Sequence, residues 1–93
     1  MDIVWQKRAV SDLYRVCEYI RQDNPAAAEK VGVAIEAATR NLARYPEMGR
    51  VGEVPETREL VITGTPYFVV YRIQGKAVQI LRVLHGKQKW PSS

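Results

Sequence analysis

Residues 64–73, GTPYFVVYRI, form a short extended stretch that is apolar on both of its faces. Alternate side chains of a strand point to opposite sides of a sheet. The odd-numbered face consists of Tyr67, Val69, Tyr71 and Ile73, and the even-numbered face consists of Phe68, Val70 and Arg72. In a chain of 93 residues, helices can cover one face of such a sheet. The second face, with Phe68 at its middle, therefore needs a different cover.

Length and composition restrict the chain to a small folded domain. A chain of 93 residues is expected to form one domain, residues 1–93, with one modest core. No apolar run approaches the roughly 18–20 residues that span a bilayer, and residues 1–8, MDIVWQKR, do not resemble a secretory signal. Cys17 is the single cysteine, so it can form neither an internal disulfide nor a zinc motif. We expect a cytoplasmic protein without membrane association, metal or cofactor.

Charge is distributed unevenly along the chain. The formal net charge is +4, and residues 60–93 contain no acidic residue. The basic residues in that stretch are Arg72, Lys76, Arg82, Lys87 and Lys89. Such a surface favours an anionic partner, either nucleic acid or an acidic polypeptide. The alternative is that these charges only keep the protein soluble.

Hydrophobic periodicity predicts a strand followed by two helices. DIVW is a short β run, and the next segment is amphipathic, with an apolar stripe at Val10, Leu13, Tyr14, Cys17 and Ile20. Asn24 and Pro25 predict the N-cap and first turn of a second helix. That helix is expected to bury Ala28, Val31, Ile35, Ala38 and Leu42 and to end before Pro46. We interpret Trp5 and Tyr14 as core residues and Cys17 as a buried small apolar residue.

Three strands are predicted after the loop at residues 46–57. TRELVIT, PYFVVYRI and AVQILRVLH are joined by GT and QGK, which are short enough for antiparallel hairpins. The order β-αα-βββ predicts an α+β fold in which a helical hairpin packs on one face of a small antiparallel sheet. Two sets of side chains share the face of Phe68 and Val70 if the register aligns them: Arg58, Leu60 and Ile62 on the first strand, and Val78, Ile80, Arg82 and Leu84 on the last. In that register the second face is an apolar groove edged by Arg58, Arg72 and Arg82. Such a groove is typical of an interface, unless the tail or a second copy covers it.

Several segments, taken in order, resemble the ParE/RelE superfamily of type II toxin–antitoxin toxins, and specifically its ParE branch. They are NPAAAEKV, YPEMGRVGEVPETRELVI, TPYFVVYRI and ILRVLHGKQKWP, and the resemblance runs from Trp5 to Pro91. It implies the RelE/ParE toxin fold and a ParD-like antitoxin whose C-terminal segment wraps the toxin. It also implies DNA gyrase as the target, and a complex that oligomerises and represses its operon through the antitoxin. No specific DNA binding by this chain is expected.

The two branches of the superfamily differ at Phe68. The resemblance implies that a ribosome-dependent mRNA interferase would carry a catalytic arginine there, whereas a phenyl ring cannot stabilise a phosphoryl transition state. If the chain were nevertheless a ribonuclease, His85, Arg82, Arg58 and Tyr71 would be the candidates. Arg82 and His85 differ by an odd number of positions, so a regular strand directs them to opposite faces. A third alternative is a non-toxic member of the superfamily that only binds a partner.

We therefore predict no catalytic residue and no metal ligand, and a surface that binds another polypeptide. The candidate partner-binding residues are Arg58, Phe68, Arg72, Arg82, His85, Lys87 and Trp90. Three of them have a structural alternative. Trp90 can fold back onto the core, Arg58 can pair with Glu59 or Glu53, and His85 can bind a loop or the tail.

Overall fold

Two helices pack on one face of a five-stranded sheet, which confirms the predicted fold class. The computed structural model describes residues 1–91. Its elements are β1 (Asp2–Trp5), α1 (Lys7–Arg21), α2 (Pro25–Asn41), β2 (Arg50–Val51), β3 (Thr57–Val61), β4 (Tyr67–Gln74) and β5 (Ala77–His85). The two-residue strand β2 was not predicted, because it lies in a segment rich in proline and glycine that favours a loop. Neither helix has the length and apolar character needed to cross a membrane.

The strand order in the sheet is β1-β5-β4-β3-β2. The predicted hairpins join β3 to β4 and β4 to β5 as antiparallel neighbours. In the second hairpin Gly75 has φ +60°, a conformation that glycine adopts without steric cost. β1 pairs parallel with β5, so the sheet is mixed. A parallel pair needs a long connection, and the segment between β1 and β5 contains both helices and the strands β2, β3 and β4.

The second helix begins and packs as its sequence predicts. The Asn24 side chain accepts a hydrogen bond of 3.1 Å from the Ala27 N–H, and Pro25 occupies the first turn. Both features satisfy or remove free N–H groups at a helix start. The stripe on this helix is confirmed, since Ala28, Ile35 and Leu42 are buried and Val31 and Ala38 pack against the core.

The predicted stripe of the first helix is only partly correct, since Leu13 and Ile20 pack against the core, Val10 is exposed and Cys17 is half-buried rather than buried. Ala9 and Asp12 are buried, whereas the Tyr14 side chain is 75% exposed. The prediction that Tyr14 is a core residue is therefore wrong. The reason is a buried ion pair between Asp12 and Arg82 of β5, which fixes the rotation of α1. Trp5, in contrast, packs against the main core as predicted.

A β-bulge in the β4–β5 pair determines which side chains share a face. Val70 pairs with Arg82 and Tyr71 pairs with Ile80, so Leu81 is the extra residue. A bulge of this kind shifts the alternation of side chains along one strand. Arg82 and Leu84 therefore lie on the side of Phe68, while Val78 and Ile80 lie under the helices.

The sheet consequently has two apolar clusters, one on each face. The cluster under the helices includes Leu60, Ile62, Tyr67, Val69, Tyr71, Val78 and Ile80. The other face, which we call the second face, carries the buried residues Phe68, Val70 and Leu84. The expected alignment of Leu60, Ile62, Val78 and Ile80 with Phe68 is wrong, because β3 pairs Leu60 with Val69 and the bulge shifts β5.

Candidate functional site

The chain's own C-terminal segment covers the second face. We call residues 86–91 the strap. Trp90 and Leu81 pack against the cluster around Phe68, which is only 7% exposed. The expectation that this face is uncovered is therefore wrong for its β4–β5 half. The structural alternative for Trp90, folding back onto the core, is confirmed.

Hydrogen bonds at the end of β5 turn the strap back over the sheet. The Gly86 N–H donates to the Pro66 carbonyl at 2.7 Å, and the Gln88 N–H donates to the His85 carbonyl at 2.8 Å. The His85 N–H donates to Gln88 Oε1 at 2.7 Å. These bonds stabilise a tight reversal that brings Trp90 above Phe68.

Arg82 connects helix α1, strand β5 and the strap. Its Nε donates to Asp12 Oδ2 at 2.7 Å, and its second terminal nitrogen donates to Asp12 Oδ1 at 3.3 Å. The Val83 N–H donates to the same Asp12 carboxylate at 3.0 Å. The Arg82 guanidinium carbon lies 6.0 Å from the centroid of the Trp90 ring, within the range of a cation–π interaction. Arg82 is therefore an internal link of the fold and offers little charge to a partner.

His85 is held at the strand end by its neighbours. Its ring meets Tyr67 edge-on, with centroids 5.4 Å apart and planes at 85°. Its Nδ1 accepts a hydrogen bond of 3.1 Å from the Lys87 N–H. Burial raises the pKa of the Tyr67 hydroxyl above 10.0, so Tyr67 is neutral at physiological pH. These contacts give His85 a structural role in the strap turn.

Arg58 and Tyr71 hold the loop that follows helix α2. The Tyr71 hydroxyl donates to the Pro46 carbonyl at 2.7 Å and accepts from the Gly49 N–H at 2.9 Å. Arg58 donates to the carbonyls of Gly49 at 2.8 Å and Glu47 at 3.3 Å. The predicted alternative, in which Arg58 pairs with Glu59 or Glu53, is wrong. Glu59 pairs with Arg50 at 2.9 Å instead. Arg58 thus lies outside the second face.

Gly49 is required for this loop by close packing. A Cβ atom at Gly49 would lie 2.7 Å from the Tyr71 hydroxyl oxygen and 2.9 Å from the Glu59 carbonyl oxygen. Both distances are shorter than real Cβ contacts, so any side chain would push the loop away from β4. The loop carries the exposed side chains of Tyr45 and Met48.

The four ribonuclease candidates are not brought together. Arg58 pairs with Tyr71 in the sheet, whereas His85 pairs with Tyr67. Tyr67 and Tyr71 are four residues apart on one strand, which corresponds to about 13 Å. Arg82 binds Asp12 beside Trp90. Within residues 1–91, Arg58 and Tyr71 lie together on the 46–49 loop, whereas Arg82 and His85 are engaged in internal contacts at two other places.

The remaining partner-binding candidates are exposed cations. Arg72 lies on the second face, where its Nε donates to Gln79 Oε1 at 2.6 Å. Lys87 and Lys89 are exposed on the strap. These three side chains are exposed and therefore accessible to an anionic partner. Phe68 and Arg82, in contrast, contact Trp90 within the packed part of the second face.

A cavity of about 670 Å³ separates the strap from β2 and β3. Its floor includes Val61 and Phe68, and Trp90 and Pro91 form one wall. Sequence reasoning missed this feature and also missed Asp12. A signal for Asp12 existed, since one acidic residue beside the apolar stripe of α1 and one arginine within an apolar strand suggest a buried pair.

Replacing Tyr71 by phenylalanine should lower the free energy of unfolding by about 1–3 kcal/mol, because two buried backbone groups lose their partner. Burial raises the pKa of the Tyr71 hydroxyl above 10.0. The folded protein therefore retains this proton more tightly than the unfolded chain. The resulting stabilisation is complete below pH 10.0 and disappears as the pH rises through the folded-state pKa.

Urea unfolding between about pH 8 and pH 11 tests this prediction. The wild type should lose stability above pH 10, and Tyr71→Phe should lose less. Tyr14→Phe is the matched control, because Tyr14 is exposed, and it should behave as the wild type. Equal pH dependence in Tyr71→Phe and wild type would contradict the assignment to Tyr71.

Comparisons with known proteins agree on one family. The family described as "ParE toxin of type II toxin-antitoxin system, parDE" matches residues 3–90. The candidate toxin Y4kP of Sinorhizobium fredii is 44% identical over 89 residues, covering 96% of this chain and 92% of Y4kP. Toxin RelE2 of Caulobacter vibrioides is 37% identical over 84 residues, covering 90% of this chain and 93% of RelE2.

A solved structure extends this agreement to three dimensions. A chain of the chromosomal ParDE toxin–antitoxin system from P. aeruginosa superposes with a TM-score of 0.83 and 28% sequence identity. The match covers 91% of this chain and 95% of the other. Sequence and fold therefore lead to the same assignment: the chain belongs to the ParE toxin family of type II toxin–antitoxin systems.

Proposed function

We propose that this toxin acts by binding DNA gyrase and that a ParD-like antitoxin neutralises it. The family assignment supports the toxin role and makes an antitoxin the expected partner. The observation that carries the binding mechanism is the position of Phe68. It replaces the arginine that a related ribonuclease would use, and it lies buried under Trp90.

Cleavage of RNA by attack of the 2′-hydroxyl needs a base, an acid and positive charge at one phosphate. The only imidazole, His85, packs on Tyr67 and accepts a bond from Lys87. The Arg82 guanidinium is paired with Asp12, and Tyr71 is bonded to the 46–49 loop. These groups have internal partners at separate places, which argues against a preorganised cleavage site among residues 1–91.

The antitoxin, in this proposal, binds the basic side of the molecule. Exposed cations at Arg72, Lys87 and Lys89 would attract acidic residues. Arg82, Phe68 and Trp90 contribute by holding the strap in place, and His85 by fixing its turn. Toxin and antitoxin would meet in the cytoplasm, where gyrase works. DNA recognition and assembly into larger complexes would be properties of the antitoxin.

The second candidate function is ribosome-dependent mRNA cleavage. It is favoured by the names of two relatives, toxins RelE1 and RelE2 of Caulobacter vibrioides, of which RelE1 is 35% identical over 85 residues. A non-toxic member that only binds a partner is the third alternative.

Induced expression in a bacterial host distinguishes the three. We expect growth arrest together with loss of gyrase supercoiling by the purified toxin, while a reconstituted translation reaction retains intact message. Cleavage of ribosome-bound message together with normal supercoiling would contradict our proposal and support the mRNA interferase. Growth without arrest would indicate the non-toxic member.

His85→Asn should leave the growth arrest unchanged. Asparagine keeps a hydrogen-bond acceptor near the position of Nδ1, so the strap turn is preserved, but it cannot transfer protons as an imidazole does. Removal of a general acid or base typically lowers the rate of a reaction by about 10²–10⁴-fold. Loss of toxicity in His85→Asn, with an unchanged melting temperature, would support the ribonuclease alternative.

A further inference from the structure

The outer edge of β3 is open beyond its short partner strand. The Gly52 N–H donates to the Thr57 carbonyl, so Thr57 faces β2, whereas the Ile62 N–H donates to Tyr67 in the direction of β4. Backbone groups alternate along an antiparallel pair, so the N–H and C=O of Val61 face outward. The β2–β3 register begins at Arg50↔Glu59. Within residues 1–91, nothing pairs with Val61 on that side.

On the opposite side of the sheet β1 is the outermost strand, and the part of β5 that extends beyond β1 is blocked. Beyond the end of β1, the Val83 N–H donates to the Asp12 carboxylate and the His85 N–H donates to the Gln88 side chain. Side chains thus occupy the donors that could pair with another strand. An open edge invites strand addition, and proteins usually block edges that are not used. The β5 overhang beyond β1 is therefore blocked by side chains, whereas the β3 overhang at Val61 is not.

The cavity lies directly beside this open edge. Val61 is 55% exposed and pairs with buried Phe68 across the sheet. Together they form an apolar floor, and Trp90 and Pro91 form the wall on the strap side. The Nε1–H of Trp90 is buried without an acceptor among the described residues. A strand added at Val61 would therefore direct alternate side chains over this cavity, whose apolar part includes Val61, Phe68, Trp90 and Pro91.

We propose that an extended segment of the antitoxin adds to the sheet at Val61 and inserts a large apolar side chain into this cavity. An extended polypeptide satisfies the N–H and the C=O of one edge residue at the same time through its own main chain. A cavity of about 670 Å³ is large enough for an aromatic side chain and part of the added backbone. The identity of the occupant as the antitoxin rests on the proposed function.

The charges around the cavity define the segment further. The basic side chains are Arg50 and Lys89, and the acidic ones are Glu53 and Glu59. Glu59 is buried and paired with Arg50 at 2.9 Å. The strap itself contributes only cations, Lys87 and Lys89, and residues 60–93 lack acids. The apolar residue that the antitoxin inserts should therefore be flanked by acidic residues of the antitoxin that face the strap.

Val61→Pro tests the pairing directly. Proline removes one outward N–H and no bond of the β3–β4 pair, and proline is tolerated on edge strands. The probe is the purified product of the reading frame adjoining the toxin gene. We expect the affinity of the toxin variant for this product to fall about tenfold, because the added strand loses one hydrogen bond at Val61. Val51→Pro is the matched control, since Val51 is an exposed edge residue outside the cavity, and its affinity should equal that of the wild type.

Residue-resolved amide exchange by NMR gives a second readout that does not depend on a variant. The Val61 amide should exchange at least about tenfold more slowly in the complex than in the free toxin, because pairing protects it. A complex in which Val61 exchanges as in the free toxin, or in which Val61→Pro binds as well as Val51→Pro, would overturn this inference and leave the gyrase proposal intact. If no complex forms, the antitoxin assignment and this inference are both overturned. If the toxin leaves gyrase supercoiling unchanged, only the proposed target is refuted.

Discussion

Replacing Asp12 by alanine is expected to lower the free energy of unfolding by about 3–5 kcal/mol, because it leaves a buried charge without its partner. The Asp12 and Arg82 side chains are only 6% and 12% exposed, and their atoms approach to 2.7 Å. The Val83 N–H loses its acceptor in the same variant. For a domain of this size the melting temperature should fall by at least about 12 °C, which thermal unfolding followed by circular dichroism measures.

Glu36→Ala is the control for this result. Glu36 pairs with Arg40 at 3.6 Å on the surface of α2, with both side chains more than 60% exposed. Exposed pairs of this type contribute less than about 0.5 kcal/mol. The double variant Asp12→Leu/Arg82→Met should recover much of the loss, since apolar replacement of a buried pair is often neutral. An effect of Asp12→Ala as small as that of Glu36→Ala would contradict the buried link.

Phe68→Ala is expected to cost about 3–5 kcal/mol, the range for truncating a buried aromatic residue. Phe68 contacts the cluster on the second face and supports Trp90. The variant removes the apolar surface on which the strap rests, so the strap should also become mobile. Chemical unfolding measures the loss, and Trp90 fluorescence, recorded in a Trp5→Phe background because the chain has two tryptophans, reports the position of the strap.

Two further variants make this experiment specific. Phe68→Leu keeps most of the apolar volume and should lose less stability than Phe68→Ala. Val51→Ala changes an exposed edge residue and should stay within about 0.5 kcal/mol of the wild type. A Phe68→Ala protein as stable as Val51→Ala would mean that the strap and the second face do not pack as described.

These two results affect how the partner surface can be studied. A charge reversal at Arg82 would disrupt the pair with Asp12, so lost antitoxin binding in that variant would reflect instability. Lys87 and Lys89 are exposed and can be reversed without this complication. Electrostatic steering predicts that their reversal weakens binding and reduces its dependence on salt.

Local signals in the sequence were sufficient for the fold class and for the order of the elements other than β2. Asn24 and Pro25 before an apolar stripe favour a helix start, and the short linkers predicted hairpins, which the structure forms through residues 62–66 and 75–76. The substitution of Phe68 for an arginine was also visible from sequence, because it depends on the residue type alone. Each of these features is fixed by neighbours along the chain.

Arg72 and Arg82 show where sequence reasoning ended. Both are arginines in strands of the acid-free region, and the pattern predicted the same role for each. Arg72 is exposed, whereas Arg82 is buried against Asp12, 70 positions away. Both side chains lie on the second face, but only Arg82 reaches the Asp12 carboxylate of α1.

The sequence by itself determined that this chain is an α+β toxin domain with a basic C-terminal third and no arginine at position 68. Only the tertiary structure decided that the strap covers half of the second face, that Arg82 is used internally and that the edge of β3 at Val61 is open. The physical reason is that strand register and ion-pair choice depend on contacts between distant residues, whereas helix starts and hairpin turns depend on adjacent ones.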